Sequence, residues 1–204
     1  MSTSPRVRAA AADKRRAILD AAVRVFARQG FHACRVADIA DEAGVAYGLV
    51  YHYFSSKDEV LDTLFLERWN VLLDTIRTVD GEAIVAREKL QAIASFIVES
   101  YRHDPDVMKV IIVEVTRAAN SFGRRHLGDI REAYRMIAAI VTDAQADGTL
   151  RDDIDAEFAA MAFYGAIEQV LTGWIFGLLP SGEEQFEQAK RLVVETVYGG
   201  LQAR

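Results

Sequence analysis

The stretch VADIADEAGVAYGLVYHYFSSKDEVL, Val36 to Leu61, decides how the rest of the chain is read. Val36, Ile39, Ala40 and Ala43 recur at helical spacing, which predicts a short helix over Val36–Ala43 with one apolar face. Gly44 then closes it, because glycine accepts the left-handed conformation that other residues avoid. A second short helix is expected over Tyr47–Phe54. Two short helices meeting at a steep angle across a glycine turn make a helix-turn-helix. Ala40 is small where they approach, and Ile39, Ala43, Val45, Val50 and Phe54 supply the apolar contacts. Tyr47 and Tyr51 are one helical turn apart, so they project together from the side opposite Val50 and Phe54. Ser56 to Glu59 has the pattern of a capping box, in which the Ser hydroxyl and the Glu carboxylate each satisfy a backbone donor. It opens a long helix through Leu61, Leu64, Phe65, Trp69 and Leu72 towards Ile76.

Outward from this stretch the pattern stays helical. Ile18, Leu19, Ala22, Val25 and Phe26 predict a first helix from about Asp13 to Gln29, ended by Gly30. The first ten or so residues are expected to be disordered. Further helices are expected over about Gly81–His103, Asp106–Phe122, Arg124–Asp147, Asp155–Leu179 and Glu183–Gln202, with Pro105, Gly123, Gly148 and Pro180-Ser181-Gly182 as breakers. The run VIIV at 110–113 can be read as a strand, but Met108, Val115 and Ala118 continue a helical pattern. The expected fold is therefore all-α, with about nine helices: a unit over 11–57 joined by a long helix to a bundle over 58–204.

The chain has 204 residues, 51% of them hydrophobic, enough for a substantial core. No window approaches the ~20 apolar residues of a membrane span, and the start MSTSPRVRAAAADKRR lacks the apolar stretch of a signal peptide, so a cytoplasmic location and no membrane partner are expected. Cys34 is the single cysteine, which rules out an intrachain disulfide and a multi-thiolate metal site. It reads as a small, inert residue. The net charge of −6 hides an asymmetry: residues 1–57 hold 9 Lys and Arg against 5 Asp and Glu, the remainder 15 against 25. The two units therefore attract different partners.

From Ile18 to about Leu64 the sequence resembles the TetR family of bacterial transcriptional regulators. The resemblance is carried by the Phe and Gly of FARQGF, by VADIADEAGV, and by Tyr51, Phe54 and Lys57 in YHYFSSK. It implies a homodimer bound to a palindromic double-stranded operator on the bacterial nucleoid, with the second helix of each motif in successive major grooves. It places Tyr47, Gly48 and Tyr51 towards base edges and His52, Tyr53 and Lys57 near phosphate, with Ala46 and Leu49 at DNA-binding positions where family members often carry Ser and Thr, which removes two possible polar contacts. Family members often carry hydroxyl residues where this chain has Cys34 and Arg35, so Arg35 is expected at a phosphate instead of a helix cap.

In the bundle, Phe65, Trp69, Phe96, Tyr101, Met108, Ile112, Phe122, Tyr134, Phe163 and Tyr164 are candidates to line a cavity for a small hydrophobic or amphiphilic effector, and each can equally be ordinary core. Arg117, Arg124, Arg125, His126, Arg131 and Arg135 can clamp an anionic head group or form a solvated face. The segment FYGAIEQVLTGWIFG, 163–177, is similar to the dimerisation helix of the fatty-acid-responsive, FadR-like subgroup, which implies an acyl-CoA or a similar amphiphile. The resemblance also puts the last two helices at a dimer interface, with Ile167, Val170, Trp174, Val193 and Val197 as candidates. Glu-x-x-His pairs, HExxH and a glycine-rich phosphate loop are lacking, which speaks against an enzyme and against a cofactor or metal. A lipid carrier without DNA binding remains the rival reading.

Overall fold

The computed structural model describes residues 5–116 and 125–202, and the side chains of 10–113 and 125–202. Among them the protein is all-α, with nine α-helices and no strand. Helix α1 spans Pro5–Gln29 and ends at Gly30, whose φ of 80° is left-handed and whose N–H donates to the Phe26 carbonyl at 2.8 Å. It starts earlier than expected: residues 5–12 are helical, since alanine and arginine have high helix propensity.

Helices α2 (Val36–Ala43) and α3 (Tyr47–Tyr53) form the predicted motif, with Gly44 at φ 64° between them. Without a hydroxyl cap, α2 is started by Asp38, whose carboxylate accepts the Arg35 N–H at 2.7 Å. Helix α4 (Lys57–Asp80) is capped as expected by Ser56, whose Oγ accepts the Glu59 N–H at 3.1 Å. Glu59 reaches back to the Ser55 N–H at 2.6 Å. The helix has buried residues along its whole length, from Val60 to Val79, and so belongs to both units.

Helix α5 (Ala86–His103) begins five residues later than Gly81. Helix α6 (Pro105–Val110) starts on Asp104, whose carboxylate accepts the Val107 N–H at 3.1 Å. It then widens into a π-helical turn over Ile111–Thr116, so the VIIV run is helical but wound more loosely than an α-helix. Helices α7 (Leu127–Ala146), α8 (Ala156–Ile175) and α9 (Glu183–Leu201) complete the bundle. Helix α8 stops short of Leu179 because Gly177 turns left-handed at φ 64°. The segment beyond it folds back: Leu178 and Leu179 donate to the Gly173 carbonyl, and the Trp174 indole donates to the Pro180 carbonyl at 3.0 Å.

Helix α1 packs on α2, α4 and α6, α7 pairs with α8, and α9 lies against α5. The apolar core runs without a break from Ile18 in α1 through Phe65 in α4 to Val194 in α9. The N-terminal unit and the bundle therefore share one interior.

Candidate nucleic-acid interface and effector cavity

The inner face of the α2–α3 motif is dry. Ile39, Ala40, Val50 and Phe54 are buried against α1 and α4, and Arg15 ties α1 to α4 through Glu67 at 2.9 Å while its guanidinium lies 5.3 Å from the Phe54 ring centre. Burial on one side fixes what the other side presents. Ala46, Tyr47, Gly48, Tyr51 and His52 are exposed, as is Arg35 at the start of α2, whereas Leu49 and Tyr53 are half-buried. Tyr47 and Tyr51 stand edge to face with ring centres 5.2 Å apart, and the Tyr47 hydroxyl donates to that of Tyr51 at 3.3 Å. That hydrogen bond holds the Tyr51 phenol above its ordinary value, so Tyr51 stays a neutral donor and acceptor at neutral pH. A Cβ added at Gly48 would meet nothing within 4 Å, so nothing inside the chain demands a glycine there.

Lys57 departs from its expected place at phosphate. Its ammonium donates to the Phe31 carbonyl at 2.5 Å and the Cys34 carbonyl at 2.7 Å, and it lies 4.4 Å from the centre of the Phe31 ring. It pins the start of α4 to the α1–α2 loop, supplying charge-assisted donors to two carbonyls that no helix uses. Cys34 lies beneath this clamp; burial pushes its thiol up to about 11, which leaves negligible thiolate.

A cavity of about 720 Å³ opens between α1, α4, α5 and α6. Val23, Leu72, Ile97, Val107 and Ile111 join Trp69, Phe96 and Met108 in an apolar lining, with Tyr164 of α8 also on its wall. Polar groups stand around it: Arg16, Asp20 and Arg24 on α1, Arg68 on α4, Glu99 and His103 on α5, and Asp104 and Asp106 beside α6. Arg16 and Arg24 are engaged by Asp20 and Glu42. Arg68 is half-buried and has no hydrogen bond or ion pair with any described residue.

Of the expected lining residues, Trp69, Phe96, Met108 and Tyr164 meet at this cavity, while Phe65, Tyr101, Ile112, Tyr134 and Phe163 do not. Phe65, Ile112 and Phe163 are core residues. Tyr101 stacks on Trp174 at 5.4 Å, and Tyr134 meets Tyr164 edge to face at 5.3 Å. Burial raises the Tyr101, Tyr134 and Tyr164 phenols, so all three stay neutral. Arg117, Phe122 and Arg124 lie outside the described residues. The proposed cationic clamp is largely consumed by neighbours: Arg125 pairs with Asp58 and Asp62, His126 sits between Asp62 and Asp129, and Arg135 pairs with Glu132. The contribution of α1 to the wall is not legible in its periodicity, which shows only that the helix has a buried face.

The candidate dimer residues are also redistributed. Ile167, Trp174 and Val193 are buried in their own subunit, and Val170 and Val197 are half-buried against its core. The large exposed apolar residues of these helices are Phe158 (75% exposed), Met161 and Leu192. Helix α8 is apolar almost all round, so its sequence pattern does not say which stripe faces inward.

Two family descriptions divide the chain: bacterial regulatory proteins of the tetR family over residues 18–64, and the C-terminal region of YsiA-like proteins over 65–196. The chain belongs to the TetR family. It is 30% identical to the fatty acid metabolism regulator protein of Bacillus subtilis over 159 residues, covering 78% of this chain and 81% of that one. The solved structure of the fatty acid degradation regulator FadR from Bacillus halodurans superposes with a TM-score of 0.83, 25% identity and full coverage of both chains. FadR from Bacillus subtilis in complex with stearoyl-CoA gives a TM-score of 0.80 at 24% identity, covering 91% of this chain and 98% of that one. This TetR family protein is thus a DNA-binding transcriptional regulator and not an enzyme. No helix among its described residues is long and apolar enough to cross a membrane.

Proposed function

We propose that this protein is a homodimeric repressor that binds a palindromic operator on the cytoplasmic nucleoid and is released by an amphiphilic effector such as a long-chain acyl-CoA. Residues 11–57 form the DNA-binding unit and 58–204 the effector and dimerisation unit. Tyr47, Gly48 and Tyr51 face base edges: the hydroxyls bond bases or phosphates, the rings meet thymine methyls, and Gly48 lets the backbone approach. Ala46 and Leu49 add apolar contact. Arg35, His52 and Tyr53 lie beside phosphates. The apolar part of the effector occupies the cavity against Trp69, Phe96 and Met108, and its anionic part meets Arg68.

The observation that carries this reading is the cavity wall itself. Helix α1 is the base of the DNA-binding unit, yet Arg16, Asp20, Val23 and Arg24 line the same cavity as α4, α5 and α6. An occupant of that space contacts both units and can favour one relative placement over another, which is all that effector control requires. The cavity is in the usual range for small-molecule sites, roughly 300–1,000 Å³. Likeness to the regulator crystallised with stearoyl-CoA supports the effector class.

Selection from a random duplex pool should enrich a palindrome with half-sites about 34–36 Å apart, and stearoyl-CoA should dissociate the complex. Enrichment of no palindrome, or complexes indifferent to acyl-CoAs of every chain length, would sink the reading.

A further inference from the structure

We infer that His126 is a positioning residue that carries the state of the cavity to the DNA-binding helices, an inference that rests on the effector-released reading above. His126 occupies the residue just before α7 and is 7% exposed. Each ring nitrogen faces a carboxylate: Nε2 is 2.9 Å from Asp62 on α4, and Nδ1 is 3.2 Å from Asp129 on α7. The Arg125 guanidinium adds contacts to Asp58 at 3.5 Å and Asp62 at 3.4 Å. The start of α7 is therefore held on the first two turns of α4 by an ionic cluster.

The cluster reaches the cavity wall by two routes, both ending on Trp69. Trp69 lines the cavity and its indole N–H donates to the Asp129 carbonyl at 2.9 Å. The Phe65 ring stacks on Trp69 at 5.1 Å and also lies 4.7 Å from the His126 ring. An occupant that shifts Trp69 thus moves both supports of His126, the Asp129 backbone and the Phe65 ring. Five residues before Asp62, Lys57 holds the Phe31 and Cys34 carbonyls of the α1–α2 loop. Each link from the cavity wall to the DNA-binding unit is a direct contact, except the step from Asp62 to Lys57, which runs along α4 itself.

The response of such a link is stepwise. A buried imidazole that leaves its carboxylate partner loses a hydrogen bond it cannot recover from water, so intermediate positions are disfavoured and bonded or released arrangements dominate. Coupling between distant sites is carried by elements of this kind, with two discrete arrangements. Occupancy at Trp69 sets whether His126 keeps Asp62, and Asp62 sets where the first turns of α4 carry α1–α3.

The test uses the full chain, an operator duplex selected by the wild type, and stearoyl-CoA as probe. His126→Phe keeps a ring against Phe65 but removes both nitrogens; Asp62→Asn removes the charge while keeping the size. In each variant we expect stearoyl-CoA affinity, measured by calorimetry, within about twofold of wild type. The ratio of operator Kd with and without saturating stearoyl-CoA should fall at least about fivefold, the lower end of ordinary allosteric coupling. A merely structural role would lower Tm and leave that ratio unchanged. An unchanged ratio in the folded variants overturns the inference, as does a ratio that falls only in step with stearoyl-CoA affinity. If His126→Phe does not fold, Asp62→Asn decides alone. A wild type that stearoyl-CoA does not release shows instead, before any variant is made, that the effector reading has failed and takes this inference with it.

Discussion

Helices α3 and α8 both push aromatic side chains into solvent, and they do so with opposite chemistry. On α3, Tyr47 is 53% and Tyr51 45% exposed, and each ring carries a hydroxyl engaged with the other. On α8, Phe158 is 75% exposed and is accompanied by Met161, with Leu192 on α9, none of which has a polar tip. A phenol keeps part of its hydration until a partner arrives, whereas a bare phenyl or thioether gains only by leaving water. The first surface suits a hydrated polyanion that must be released; the second suits an apolar copy of itself that stays.

On that contrast, the largest effect comes from the apolar surface. Phe158→Glu combined with Leu192→Glu should turn a dimer into a monomer in sedimentation. Operator affinity should fall at least about a hundredfold, because the second half-site is no longer reached intramolecularly. A dimer that persists would place the interface elsewhere. On the polar surface, Tyr47→Ala with Tyr51→Ala should weaken operator binding about 10- to 100-fold, the scale of lost base contacts. Dimerisation and Tm should stay put because both side chains are exposed. A double variant that binds as tightly as wild type would remove the reading face from α3.

The smallest effect separates scaffold from contact. Lys57→Met should cost about 2 kcal/mol of stability, since two hydrogen bonds from a charged donor are lost. The slope of log affinity against log salt should not change. A lysine that neutralised a phosphate would lower that slope by about 0.9 per subunit, and such a drop would return Lys57 to the DNA.

The α2–α3 motif was legible because each of its parts is local. Gly44 marks the turn, Ser56 the cap, and the Ile39–Val50–Phe54 set the inward face, all within a few residues of what they control. The capping of α2 by Asp38 and the Lys57 clamp were less so. The Lys57 bonds join residues 23 and 26 positions apart, a pairing that no periodicity encodes. In the bundle the element types followed from spacing, but the π-helical turn at Ile111–Thr116 has the same apolar pattern as an α-helix and differs only in winding. The inward stripe of α8 and the α1 wall of the cavity depend on which helices lie next to which. Four of the expected lining residues reach the cavity, and aromatic content alone could not separate them from Phe65 or Phe163, which pack just as deeply in the core.

Because α1 forms part of the cavity wall, the space available to a small molecule depends on where the base of the helix-turn-helix is held. Linkage then runs in both directions: whatever factor the effector takes from operator affinity, the operator must take from effector affinity. A protein already seated on its operator would be the poorest sensor in the cell, and the free pool the best. Induction would then proceed mainly by capturing regulators between visits to DNA, so its speed would be set by how often they let go.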